Sequence, residues 1–150
     1  MLDLTNPKHA HIDKRLRENR ILWLGSVRPD GRPHLVYVMF LWDGKHILIF
    51  SEPTSQKIRN VQHNPHVTLG LDETREGEDM VILEGRAELL DDPVVNATLP
   101  AYAAKYDSEL QRVGLTAEAM AAIFSQALLI TPTRFFYRQG TREQRVEVIT

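Results

Sequence analysis

Short apolar runs separated by turn residues dominate the first third of the chain. Residues 21–27 are largely apolar and precede a turn sequence at 29–32, while residues 34–42 are rich in β-branched and aromatic side chains. An Asp-Gly dipeptide at 43–44 is typical of a two-residue hairpin turn, and the apolar residues 46–50 follow it. Runs of this length between turn residues are typical of β-strands. The pattern predicts two consecutive β-hairpins.

Other segments show helical rather than strand spacing of their apolar positions. Thr54 or Ser55 can cap a short helix, and Pro65 can end it. Gly114 separates two further helical segments, the second of which Thr116 can cap. The predicted helices are a polar one at residues 7–19, a short one within 52–65, and two at 92–108 and 116–126.

The remaining apolar runs predict the strands that complete a sheet. They cover residues 67–71, 80–90 and 127–138, with Gly85 as a possible bulge and Pro132 as a residue suited to a sheet edge or a bulge. About six strands in hairpin order, interrupted by short helices, favour an antiparallel sheet that closes on itself. The predicted fold class is therefore mainly β (α+β), a small six-stranded barrel with peripheral helices.

Length and composition indicate one ordinary globular domain over residues 1–150. The chain is 43% hydrophobic and 25% charged, which is typical of folded proteins. We expect a single folding unit whose ends, residues 1–14 and 139–150, are mobile.

The charge and the residue types exclude several classes of function. A net charge of -2 argues against nucleic-acid binding, and no apolar stretch is long enough to span a membrane. The chain has no cysteine and no apolar leader at its start, which fits a soluble cytoplasmic protein. A small barrel leaves an apolar outer face to cover, so we expect a two-fold homodimer.

The start of the helix within residues 52–65 is the best candidate for chemistry. Amide groups that lack internal partners, together with the positive end of the helix dipole, favour an anion at this position. Lys57 would lie in the first turn, where a bound phosphate would offset its unfavourable interaction with the dipole. The alternative is that Lys57 only extends into solvent, as most surface lysines do. Arg59 has the same alternative and points elsewhere on the helix.

No other chemical motif is evident. The six histidines include the pairs His9/His11 and His63/His66, but neither pair has a third ligand in evidence, so no metal site is expected. The nucleophile elbow, the phosphate-binding lysine loop and the dinucleotide fingerprint of known enzymes are absent from the sequence. Strands usually bury their aromatic residues, and only Tyr37 remains as an aromatic site candidate.

Four segments resemble one known superfamily. Residues 31–38, 47–51, 54–60 and 63–67, read in that order, are similar to the pyridoxamine-phosphate-oxidase-like split-barrel flavoproteins, and the resemblance extends over most of residues 15–138. Within that superfamily, short stretches at 102–106, 114–118 and 131–134 are similar to the branch that uses the deazaflavin coenzyme F420.

The resemblance implies a six-stranded FMN-binding split barrel that dimerises and holds its cofactor at the subunit interface, with Lys57 on the phosphate. It further implies two sets of cofactor contacts. His34, Tyr37, Val38 and Met39 would line the ring, and Phe50, Ser51, Ser55 and Gln56 would lie beside the phosphate and ribityl chain.

Two departures qualify the resemblance. Many relatives carry an arginine near the phosphate lysine, where this chain has Ser55 and Gln56, and Arg59 or a residue of the partner chain could compensate. The tail from Gln139 lacks the paired arginines of true pyridoxamine phosphate oxidases, which argues against vitamin B6 synthesis.

The leading hypothesis is hydride transfer from reduced F420 to a small organic substrate. An FMN-dependent oxidoreductase is the close alternative, a non-catalytic cofactor carrier or sensor is a third, and an interaction module without cofactor is a fourth. Because the cofactor would carry the difficult chemistry, no catalytic side chain is predicted.

Overall fold

The structure, a computed structural model, describes residues 1–140 and 142–147, with side chains described outside 92–97 and 142–147. One sheet and four helices account for most of these residues. The strands are β1 Leu22–Val27, β2 Pro33–Val38, β3 Leu41–Trp42, β4 Ile47–Ser51, β5 His66–Leu71, β6 Asp79–Leu90, β7 Gln126–Gln139 and β8 Arg142–Glu147, and the helices are α1 Pro7–Glu18, α2 Gln56–His63, α3 Asp92–Val113 and α4 Ala117–Ile123.

The sheet is antiparallel throughout and curls into a split barrel. Its strands follow the order β2-β1-β5-β6-β7-β4-β3, and β8 pairs with the free side of β7. The end strands β2 and β3 are separated in sequence only by Met39 and Phe40. The two ends of the sheet therefore lie next to each other, and the sheet between them must bend round. The predicted fold class is confirmed.

Two apolar cores hold the barrel and its helices together. The first fills the barrel and includes Leu24, Ile49 and Phe135, with α1 closing one side through Ile12 and Leu16. The second lies on the outside of β4 and β7, where α3 and α4 cover a cluster of buried side chains: Leu48, Phe50, Tyr102, Tyr106, Leu110, Met120 and Ala127. Both faces of β4 are therefore buried, which explains its unbroken run of apolar residues.

A break at Met39 and Phe40 interrupts the strand predicted over residues 34–42. The Phe40 amide donates to the hydroxyl oxygen of Tyr106, 2.9 Å away, and the Lys105 ammonium donates to the Phe40 carbonyl oxygen at 3.0 Å. The Tyr106 hydroxyl also donates to the Arg20 carbonyl oxygen at 2.7 Å. Because α3 supplies these partners, the backbone can leave the sheet here without burying unpaired polar groups.

Other elements agree with the sequence more closely. The ladder between β6 and β7 shifts register at Glu84/Gly85, as the predicted bulge at Gly85 requires. Gly114 ends α3 in the left-handed conformation with a φ of 73°, and the Thr116 side chain caps α4 by accepting from the Ala119 amide at 3.1 Å. The N-cap Asp91 makes no side-chain bond to the start of α3.

The predicted count of six strands is wrong. Seven strands lie along the path of the sheet within the described residues, because the run at 34–42 is divided into β2 and β3. The tail, to which the sequence assigned no element, contains β8, and the rest of it at 141 and 148–150 lies outside the described residues. Its polar composition gives no strand signal, since β8 depends on pairing with β7. None of the described helices combines the length and the apolar character needed to cross a bilayer.

Candidate functional site

A buried polar chain fixes α2 against the first strand. Asn60 is fully buried, and its side-chain amide donates to the Ser26 hydroxyl of β1 at 2.9 Å. Gln56, one turn earlier, donates to the Asn60 side-chain oxygen at 2.7 Å. Buried polar groups are costly unless they are paired, so this series of hydrogen bonds favours one position of the helix against the sheet. The start of α2 is thereby held beside the ends of β1 and β4.

The first turn of α2 is open to an external anion. Ser55 is the N-cap, but its side chain makes no capping bond to the helix amides. Its hydroxyl instead lies 2.8 Å from the hydroxyl of Ser51, which is fully buried at the end of β4. The amides at the beginning of a helix have no intrahelical acceptor, and no side chain described in the structure provides one here. They are available to a ligand that accepts hydrogen bonds.

Lys57 lies in this first turn and is partly buried. Its ammonium group makes no hydrogen bond or ion pair with any residue in the described parts of the chain. Burial lowers the pKa of Lys57, while the carboxylate of Glu52 acts in the opposite direction. A partly desolvated ammonium without a partner is unfavourable by itself, and a bound anion would offset that cost.

His34 lies on the inner side of β2 and feels the charge of Lys57. Burial lowers the pKa of His34, and the positive charges of Arg28 and Lys57 lower it further. The imidazole is therefore neutral near pH 7. Its Nδ1 atom is buried and has no hydrogen-bond partner among the described residues. Such unpaired buried atoms are rare in folded proteins and are candidates for ligand contacts.

A cleft of about 630 Å³ opens next to His34. Its lining includes inward-facing residues such as His34 and also one outer-face row of paired residues. That row crosses four strands, from Leu35 through Gly25 and Thr68 to Glu84. An added Cβ at Gly25 would lie 2.6 Å from the Thr68 hydroxyl oxygen, so any residue other than glycine would force the Thr68 side chain to move. The volume is within the range of small-molecule sites. Six of the lining residues are Gly25, His34, Leu35, Thr68, Glu84 and Thr133.

The structure brings together some of the predicted site residues and separates others. Ser51, Ser55, Gln56 and Lys57 cluster at the start of α2, and the electrostatic effect of Lys57 reaches His34. The exposed Arg59 bends back to the Thr54 carbonyl oxygen and to Gln56 Oε1, which it reaches at 2.7 Å.

Four predicted contacts have other surroundings. The Phe50 ring packs against Tyr102, with 4.9 Å between ring centroids, and belongs to the core under α3. Val38 is buried inside the barrel, and Met39 packs against the core under α3. Tyr37 is 61% exposed on the outer face, where its ring meets Trp23 edge to face. In each of these residues the described side-chain contacts are apolar.

Sequence reasoning missed Ser26, Asn60 and Arg28. A polar residue four positions after Gln56 on the apolar side of a short helix is a recognisable signal for Asn60. Ser26 and Arg28 carry no such signal, because Ser26 acts through a bond to α2 and Arg28 through the effect of its charge on His34. In the part of the chain that is described, no three metal-ligating side chains converge.

Comparisons with known proteins agree with this architecture. An "F420 Reductase" structure has 26% sequence identity and a TM-score of 0.67, covering 82% of this chain and 94% of its own. The General Stress Protein 26 from Bacillus anthracis has 23% identity and a TM-score of 0.66, over 91% of this chain and 97% of its own. A related protein from Clostridium acetobutylicum has 16% identity and a TM-score of 0.68, over 91% of each chain. The last two likenesses show the fold alone.

The sequence itself assigns the family. No curated protein matches the chain. The sequence model described as pyridoxamine 5'-phosphate oxidase, however, matches residues 9–139, which is most of the chain. That extent, together with the split barrel, shows that the protein belongs to the pyridoxamine 5'-phosphate oxidase family.

Proposed function

We propose that the protein is an oxidoreductase that transfers hydride from reduced F420 to a small organic substrate. The observation that carries the proposal is the unpaired, partly buried ammonium of Lys57 at the open first turn of α2. A positive side chain together with free helix amides fits the phosphate of a flavin or deazaflavin cofactor. Ser51 and Ser55 offer hydroxyl groups beside the same turn.

The cleft beside His34 is the proposed place for the planar ring. Its outer-face row contains the small or apolar residues Gly25 and Leu35, and the unpaired Nδ1 of His34 is available to a polar ring edge. When bound, the cofactor supplies the hydride chemistry. The protein contributes position and the exclusion of water, so the site needs no acid or nucleophile of its own.

F420 is favoured over FMN on two grounds. The stretch Tyr102 to Tyr106 resembles the F420-dependent branch, and one similar structure is named as an F420 reductase. FMN remains the alternative because its phosphate would use the same features of the site. The family assignment supports both cofactors equally.

The first test is cofactor binding by the purified protein. The visible spectrum is recorded, and the protein is then titrated with FMN and with F420 while ligand fluorescence is followed. We expect saturable binding of F420, and oxidation of reduced F420 when a conjugated enone is added. If the protein binds FMN but not F420, the proposed cofactor becomes FMN. Binding without turnover over a broad substrate panel would make the protein a carrier, and no binding of either cofactor would refute the proposal.

We also propose that the outer face of the sheet is covered by a second copy of the chain. One row of paired residues crosses the strands from Tyr37 through Trp23 and Gly70 to Ile82. Tyr37 is 61% exposed, Trp23 39%, and Leu35 in the next row 65%. Exposed apolar rows of this kind on a small domain are typical of interfaces. A two-fold dimer across this face would place the cleft at the subunit interface.

Leu35→Glu is expected to convert the dimer to monomer. A two-fold axis would bring two copies of an unpaired carboxylate into an apolar contact, which raises the dissociation constant by more than about tenfold. Light scattering behind size exclusion, over a dilution series, measures the mass. Val113→Glu is the control, because Val113 is also exposed (60%) but lies at the end of α3. A wild-type chain that is monomeric at all concentrations would contradict the interface.

A further inference from the structure

Tyr106 lies at a kink in α3 and joins three parts of the fold. Its backbone, with a φ of -114° and a ψ of 22°, departs from helical geometry inside the helix. The side chain is fully buried, and its hydroxyl oxygen accepts from the Phe40 amide at 2.9 Å. Two carbonyl oxygens lie within reach of the hydroxyl proton, that of Arg20 at 2.7 Å and that of Phe40 at 2.9 Å. The hydroxyl has one proton and donates fully to only one of them at a time.

Lys105 selects between the two carbonyl groups. Its ammonium donates to the Phe40 carbonyl oxygen at 3.0 Å and lies 3.8 Å from the centroid of the Phe40 ring. Because the ammonium serves that oxygen, the Tyr106 proton is left for Arg20. If the Lys105 side chain turns into water, the hydroxyl can donate to Phe40 instead, and the carbonyl group of the exposed Arg20 can bond to water. Both arrangements pair the buried polar groups of this junction.

Lys105 changes its charge near pH 8, whereas its titratable neighbours do not. Burial, together with the charge of Arg20, lowers the pKa of Lys105 to about 8. Burial raises the pKa of Tyr106 to about 12, and it also raises the pKa of Tyr102, whose ring packs 4.8 Å from the Tyr106 ring. The hydrogen bond from Arg20 lowers the pKa of Glu109, which therefore stays ionised.

We propose that Lys105 and Tyr106 form a two-state switch in which a proton on Lys105 decides whether the Tyr106 hydroxyl donates to Arg20 or to Phe40. In the closed state the amine lies over the Phe40 ring, and Tyr106 donates to Arg20. In the open state the ammonium lies in water, and Tyr106 donates to Phe40. The charged amine is better solvated outside the protein, so protonation favours the open state and loss of the proton favours the closed state.

The switch acts on segments that adjoin two strands of the cleft. Phe40 lies two residues after β2, which lines the cleft through His34 and Leu35. Arg20 lies two residues before β1, which lines it through Gly25. The inference goes beyond the proposed function, because it concerns the protein without a ligand and holds whichever cofactor binds.

An NMR titration of the wild-type protein between about pH 6 and pH 11 tests the switch. The side-chain resonances of Lys105 should titrate about two pH units below those of Lys45, which is an exposed lysine. The carbonyl carbon resonance of Arg20 should shift with the same midpoint as Lys105, because this carbonyl group exchanges the Tyr106 hydroxyl for water. A Lys105 midpoint equal to that of Lys45 would overturn the switch, as would an Arg20 resonance that does not follow Lys105.

Three variants separate the hydrogen bond from the direct effect of charge. Lys105→Met removes the donor and keeps the apolar stem, so the Arg20 resonance should stay at its low-pH position at every pH. In Tyr106→Phe, Lys105 should still titrate, but the Arg20 resonance should no longer follow it. Lys45→Met is the matched control and should leave the Arg20 titration unchanged. An Arg20 response that persists in Tyr106→Phe would show that the hydroxyl does not move, and the switch would be refuted.

Discussion

Lys57→Met is expected to weaken cofactor binding by about 1.5–3 kcal/mol, or about 10- to 150-fold, because the variant loses a charge-assisted hydrogen bond to phosphate. Methionine keeps most of the apolar stem and has a similar helix propensity, so the packing of α2 is preserved. Fluorescence titration with FMN and F420 measures the change. The ligands without phosphate should bind the variant and the wild type equally.

The same substitution should not destabilise the free protein. The Lys57 ammonium is partly buried and has no hydrogen-bond or ion-pair partner among the residues described. Burial lowers its pKa, so the folded chain gains nothing from its charge. We expect the free energy of unfolding of Lys57→Met to equal or exceed that of the wild type. Lys45→Ala, which removes an exposed lysine, is the control and should change neither property. Unchanged cofactor affinity in Lys57→Met would contradict the phosphate assignment.

The opposite signs of these two effects are the mark of a binding residue. A lysine kept for stability would lower both properties when it is removed. Removal of a group that is costly in the free protein and favourable in the complex raises stability and lowers affinity together. The comparison therefore separates a role in binding from a role in folding.

The sequence predicted the fold where local signals are strong. The first hairpin, the bulge at Gly85 and the cap at Thr116 follow from residues whose backbone preferences are decisive by themselves. The break at Met39 and Phe40 could not be predicted in this way. It depends on partners in α3, which lies far along the chain.

The residues of the candidate site also divide into those that local sequence predicts and those whose surroundings depend on distant parts of the chain. Lys57 could be singled out because its position in a helix turn is a local property. The second core decided the surroundings of Phe50, and pairing with distant elements decided those of Ser26, so neither could be derived from neighbouring residues. The resemblance to a family placed Val38 and Met39 at the ring by position alone, whereas the described contacts of both side chains are with core residues.

Every proposal about the site depends on the fixed position of α2 against β1. The variant Asn60→Ala tests how strongly Asn60 holds the helix in that position. The substitution removes the bonds to Ser26 and Gln56 and leaves a small void in a fully buried position. Gln56 is partly exposed and can turn to water, but Ser26 is only 4% exposed and would remain unpaired. We expect a loss of about 2–4 kcal/mol in the free energy of unfolding, from the unpaired hydroxyl and the cavity together.

Denaturant unfolding of Asn60→Ala, Ser26→Ala and the double variant measures the coupling. If the two side chains stabilise the protein through their mutual bond, the double variant loses clearly less than the sum of the single losses. Gln62→Ala, an exposed position on the same helix, should change stability by less than about 0.5 kcal/mol. Strictly additive losses would mean that Ser26 and Asn60 act independently. The start of α2 would then lack the rigid support that a preformed phosphate site requires.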